Sequence, residues 1–248
     1  MKHFVHKRST FLDKYGDKLR LWLRKHLYGP VSLFAKVIFI GFFTPVSDAH
    51  AQFNVPWRYS PNVVVISATD TDPRIQLVDE AIAFWNHTLE ATGSGFRIGP
   101  VTHRVQPPPE EAIQALSKLI LKGPVLPRQI PSALSGLSGD MTVILGNSDF
   151  VSFAGPFDSD FRRIVAIRGD TFPPLSLPNV ARNIITHELG HAIGLGHNSD
   201  FTALMCGRPA ECRPDLFRSD ESRIFPVLES ERLQLLRLYP ADWKPQSK

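Results

Sequence analysis

The run His187-Glu188-Leu189-Gly190-His191-Ala192-Ile193-Gly194-Leu195-Gly196-His197 constrains this chain more than any other stretch. Two histidines four positions apart on a helix project from one face, about a turn apart. Each offers a ring nitrogen to a single zinc ion, and Glu188 between them can reach a water on that metal. A helix that simply continued could not return a third ligand to the ion. Gly194 supplies the bend, because glycine takes positive φ at little cost. His197, just past the bend, closes a three-histidine set and leaves a fourth position open, as a catalytic zinc requires. H-E-x-x-H alone can arise by accident. With the glycine and the third histidine at fixed spacing, chance falls to roughly one in ten million per start position. The competing readings are a buried helix with hydrogen-bonded core histidines, and a zinc site in which Glu188 is only structural.

Ala203-Leu204-Met205 follows soon after His197. In these two elements the chain resembles the metzincin zinc endopeptidases, whose signature is the extended histidine motif plus a downstream methionine turn. Within them it looks most like the matrixins, through the whole run from His187 to His197 and the Ala-Leu-Met turn. Some metzincins carry a tyrosine two residues after the turn methionine; Gly207 stands there in this chain, which points away from those branches. The resemblance implies that Met205 packs beneath the histidines without ligating the metal. It also implies peptide-bond hydrolysis on an extended polypeptide substrate, which would pair with a strand edging the cleft. Matrixins are held latent by a pro-segment cysteine, whereas no cysteine precedes Cys206 here, so control would come from export or a separate inhibitor.

The formal charge of +4 belongs to the leader. Residues 1–51 hold nine lysines and arginines against three aspartates, a net of +6, which leaves −2 for the remainder and no basic nucleic-acid patch. Val31 to Val46 is an apolar run behind this basic stretch, and Ala49-His50-Ala51 has the A-x-A cleavage pattern. Residues 1–51 therefore read as a secretory signal, with the mature protein starting at Gln52, secreted or periplasmic. An uncleaved anchor is the alternative, and the only expected link to a membrane. The two cysteines, Cys206 and Cys212, form a close pair that favours a small disulfide loop in an oxidising compartment; two free thiols are the other reading.

Along the mature chain, Asn62 to Ser67 is a β-branched run that reads as a buried strand. Ile75, Val78, Ile82, Trp85 and Leu89 form a helical stripe facing a core. Phe96 to Ile98 and Val101 to Val105 read as a second strand, interrupted by Gly99-Pro100. A short helix follows Pro107-Pro108-Pro109, and residues 123–139 read as a long loop. Met141 to Leu145 and Arg163 to Ile167 are further strands, the latter near the expected cleft edge. Residues 146–160 read as a polar loop; the resemblance adds a calcium site built from its oxygen ligands. The second, structural zinc of matrixins is not expected, because no histidine lies between His103 and His187. His87 and His103 read as structural or exposed.

The zinc-binding helix is predicted from about Asn179, as N-cap, to Ile193, and is apolar on every side, hence central. Residues 207–228 would line a specificity pocket, and Glu229 to Tyr239 would form a last helix with Leu233, Leu236 and Tyr239 inward. The expected fold is one α/β (α+β) zincin domain over 52–240, with a tail at 241–248. It comprises a mixed twisted sheet, a central zinc helix and a small C-terminal subdomain after Gly194. Beside the zinc endopeptidase stand two other readings: a non-catalytic zinc domain that grips an extended peptide, and an envelope protein whose zinc only holds the fold.

Overall fold

The computed structural model describes residues 55–123, 125, 127–156, 162–169, 176–207 and 222–246. Their elements are β1 (Val63–Ser67), α1 (Arg74–Ala91), β2 (Val101–Val105), α2 (Glu110–Ile120), a 3-10 turn (Pro127–Gln129), α3 (Ser132–Ser135), β3 (Met141–Gly146), β4 (Phe153–Pro156), β5 (Arg163–Arg168), α4 (Pro178–Ala192) and α5 (Glu229–Leu238). The strands form one sheet in the order β2-β1-β3-β5-β4. All neighbours are parallel except β4, which runs antiparallel to β5.

The inner strands are Val- and Ile-rich without polar alternation because helices cover both faces of the sheet. Side chains still alternate. Val63, Val65, Val143, Leu145, Val165 and Ile167 meet α1 and α4 in the larger core. Val64, Ile66, Ile144, Ile164 and Ala166 meet Ile113, Leu116 and Ile120 of α2 in the other. On the outer strand β2, His103 and Arg104 are exposed, and charge there discourages pairing with another chain. His103 Nε2 faces Asp79 at 3.0 Å, and both His103 and His87 are exposed.

Several expectations are corrected. The second strand is only Val101–Val105; Phe96 and Ile98 are buried but not in a strand. The stretch 123–139 contains the short helix α3. Residues 163–167 themselves lie inside the sheet as β5, and the edge strand beside them is β4. Phe-Ala-Gly-Pro carries no strand pattern, so β4 was hidden within what reads as a loop. α4 begins with Pro178, whose missing N–H suits a first helical position, so Asn179 is not its cap. Of the residues expected inward from the last helix, Tyr239, just past α5, is buried and Leu236 half-buried, while Leu233 is 47% exposed and Leu235 is buried instead. Past α5, Trp243 packs edge-on against Phe96 and Gln246 N–H donates to Arg58 O at 2.7 Å, so 241–246 is held against the domain. The expected leader 1–51, Asp158 and Asp160 of the expected calcium loop, and most of 207–228 lie outside the described residues.

Candidate metal centre

α4 is buried along nearly its whole length because α1 covers it on one side and the sheet on another. Trp85 of α1 donates its indole N–H to Thr186 O at 2.8 Å. Asn183, fully buried, donates to Arg223 O at 3.0 Å and accepts from Phe225 N–H at 2.9 Å. Residues 223–225 are thereby fastened to the helix. A platform fixed on several sides is what a set of ligands needs.

The three histidines converge. The Nε2 atoms of His187 and His191 are 3.0 Å apart, those of His187 and His197 3.2 Å, and those of His191 and His197 2.9 Å. His187 and His191 are buried and His197 is partly open. The Nδ1 of His187 lies 2.9 Å from Leu204 O, and that of His191 lies 2.8 Å from Leu195 O. A carbonyl only accepts, so each Nδ1 carries the proton and each Nε2 of the neutral ring presents a lone pair. His187 and His191 therefore have no proton to share between their facing nitrogens. A divalent cation resolves this repulsion. Nitrogens bound tetrahedrally at 2.0–2.1 Å lie about 3.3 Å apart, close to the spacings here. The donor set fits zinc, and the carbonyls of Leu204 and Leu195 supply the orienting partners that metal-bound imidazoles require. Among the described residues no other group of three His, Cys, Asp or Glu side chains converges in this way.

The reversal falls at Gly194, whose φ is +107°, and His197 follows three residues later. Burial pushes the Glu188 carboxyl up to about 8, opposed by a hydrogen bond from the backbone N–H of Ala154. β4 thus touches the carboxylate directly, a contact that nothing in the local sequence announces. Met205 is fully buried, and its sulfur packs on Gly190, between the two helical histidines. Gly190 is a second residue that sequence reasoning passed over. A glycine inside a helix costs about 1 kcal/mol relative to alanine, and that cost was the available signal. Cys206, next to Met205, is disulfide-bonded; Cys212 lies outside the described residues.

A histidine pair on a helix, a glycine reversal, a third histidine and a methionine turn beneath them are all in place. The arrangement is metzincin-like. No protein-family model matches the chain, and no curated protein matches it. Among solved structures it is similar to archaemetzincin from Methanopyrus kandleri, at 21% identity over 72% of this chain and 95% of that one, with a TM-score of 0.43. At that identity and score, the chemistry is decided by this chain's own donor set.

Proposed function

We propose that this protein is a zinc-dependent endopeptidase that cleaves extended polypeptides outside the cytoplasm, nearest in kind to the matrixins. The observation that carries the reading is the convergence of three histidine Nε2 atoms within 3.2 Å, next in the chain to a buried carboxyl. His187, His191 and His197 would hold the ion. When bound, zinc supplies Lewis-acid polarisation of the scissile carbonyl and of water at neutral pH.

The remaining work falls to the chain's own groups. Beside a cation held by the histidines, Glu188 would favour its ionised form, against the effect of burial. The ionised carboxylate takes a proton from the attacking water and passes it to the departing amide nitrogen. The Ala154 N–H holds that carboxylate in one orientation. β4, an edge strand of the sheet, would pair with the substrate backbone and so select extended chains. The basic and apolar leader supports an extracytoplasmic site of action, as does the disulfide at Cys206.

The test is cleavage of a quenched-fluorescence peptide library by the purified protein. Turnover that a chelator abolishes and zinc restores is the expected result. Peptide binding without turnover would instead favour the non-catalytic peptide-binding domain.

A further inference from the structure

The chain between His191 and His197 is held by groups far from it in sequence. At a helix C-terminus the last carbonyls have no partner within the helix and must find one elsewhere. Here three successive carbonyls are each caught by a side chain from another element. Ala192 O accepts from the indole N–H of Trp57 at 2.9 Å and from the guanidinium of Arg163. Ile193 O accepts from the Tyr239 hydroxyl at 2.8 Å, and Gly194 O accepts from the Gln234 amide at 3.0 Å. The next carbonyl, Leu195 O, is the one that orients His191.

The captors are also tied to one another. Trp57 N–H donates to the Tyr239 oxygen at 3.3 Å. Arg163 donates to Val55 O with its other terminal nitrogen, and its guanidinium lies 4.3 Å over the Trp57 ring. Trp57, Arg163 and Tyr239 are all nearly inaccessible to solvent, at 2%, 3% and 0%. A buried cation at the C-terminal end of α4 also complements the negative end of the helix dipole. Residues 55–57 thus act as a strap across the reversal, fastened through Arg163 at the start of β5 and Tyr239 just after α5.

We propose that Trp57, Arg163 and Tyr239 are positioning residues of the metal centre, and that the seated strap fixes the reversal that delivers His197 to the other two histidines. The inference rests on the metal-centre reading above. None of the three belongs to the converging histidine set. They act through the carbonyls of Ala192 and Ile193, so a loosened strap enlarges the set of positions His197 can take. Metal binding and strap seating are then linked, each strengthening the other.

The experiment measures zinc affinity of the purified protein by competition with a chromophoric chelator, together with the visible ligand-field band of the cobalt-loaded form. Tyr239→Phe deletes only the hydroxyl, and Trp57→Phe keeps a ring but removes the N–H donor. Each is expected to weaken zinc binding about tenfold or more, the range seen when outer partners of metal ligands are lost, and to alter the cobalt band. Leu116→Ala, in the core on the far side of the sheet, is the control. It should lower the unfolding midpoint at least as much, yet leave zinc affinity within about twofold. Zinc affinity and cobalt spectra of Tyr239→Phe that match the unaltered protein would overturn the proposal. So would losses that merely track the unfolding midpoint across all three variants. If Trp57→Phe fails to fold, Tyr239→Phe alone decides. An unaltered protein that binds neither zinc nor cobalt would overturn the metal centre itself, a different result from a strap that proves indifferent.

Discussion

The sulfur of Met205 lies so close to Gly190 that a Cβ on that glycine would stand 2.6 Å from it, and 2.8 Å from Cζ2 of Trp85. The thioether can shift, but the Trp85 ring is fully buried and its N–H is committed to Thr186 O. Gly190→Ala is therefore expected to destabilise the protein by about 2 kcal/mol through overpacking. That corresponds to a fall of roughly 4–8 °C in the unfolding midpoint. Thermal unfolding followed by circular dichroism checks it; an unchanged midpoint would mean that the methionine turn is looser than it looks.

Glu188→Ala should leave zinc content unchanged and depress peptide cleavage about a hundredfold to ten-thousandfold, the range of a positioned general base. Zinc stoichiometry by atomic absorption and single-turnover cleavage are the paired measurements. Cleavage at the rate of the unaltered protein would remove Glu188 from the mechanism.

Chelation should weaken the fold itself, because it leaves the facing lone pairs of His187 and His191, 3.0 Å apart, uncompensated. Conversely, free zinc at a hundred times its Kd adds about 2.7 kcal/mol to the folded state, roughly 5–10 °C in the midpoint. Scanning fluorimetry with chelator and with added zinc reads this, and a midpoint indifferent to both would contradict the site.

Glu231 offers a pH signature. Burial raises its carboxyl above the ordinary 4.5, against hydrogen bonds from Leu228 N–H and the Asn198 amide. The folded state then holds a proton that the unfolded chain has released, over a window just above 4.5. Stability from this group is present below that window and falls as pH rises through it. Glu231→Gln should therefore lose stability less steeply than the unaltered protein across that range. Urea unfolding at several values between pH 4 and 7 gives the two slopes; parallel curves would show that Glu231 does not titrate differently in the fold.

The sequence alone picked out the three histidines that converge, the carboxylate between two of them and the bend that returns the third. Each depends only on helical period and on the backbone freedom of one glycine, which are local properties. It also showed the buried strands, since a sheet covered on both faces demands unbroken β-branched runs. Four residues reading Phe-Ala-Gly-Pro could not announce an outermost strand, because β4 exists only through its pairing with β5. Nor could local pattern say that Leu204 O and Leu195 O would fix the imidazole tautomers, or that Gly190 would be demanded by Met205 and Trp85. The grip on the reversal was the least legible part. Trp57 and Ala192 are 135 residues apart, and such a pair meets only after sheet and helices have packed. Spacing along the chain decides which atoms can face one ion; only the packed domain decides what holds them there.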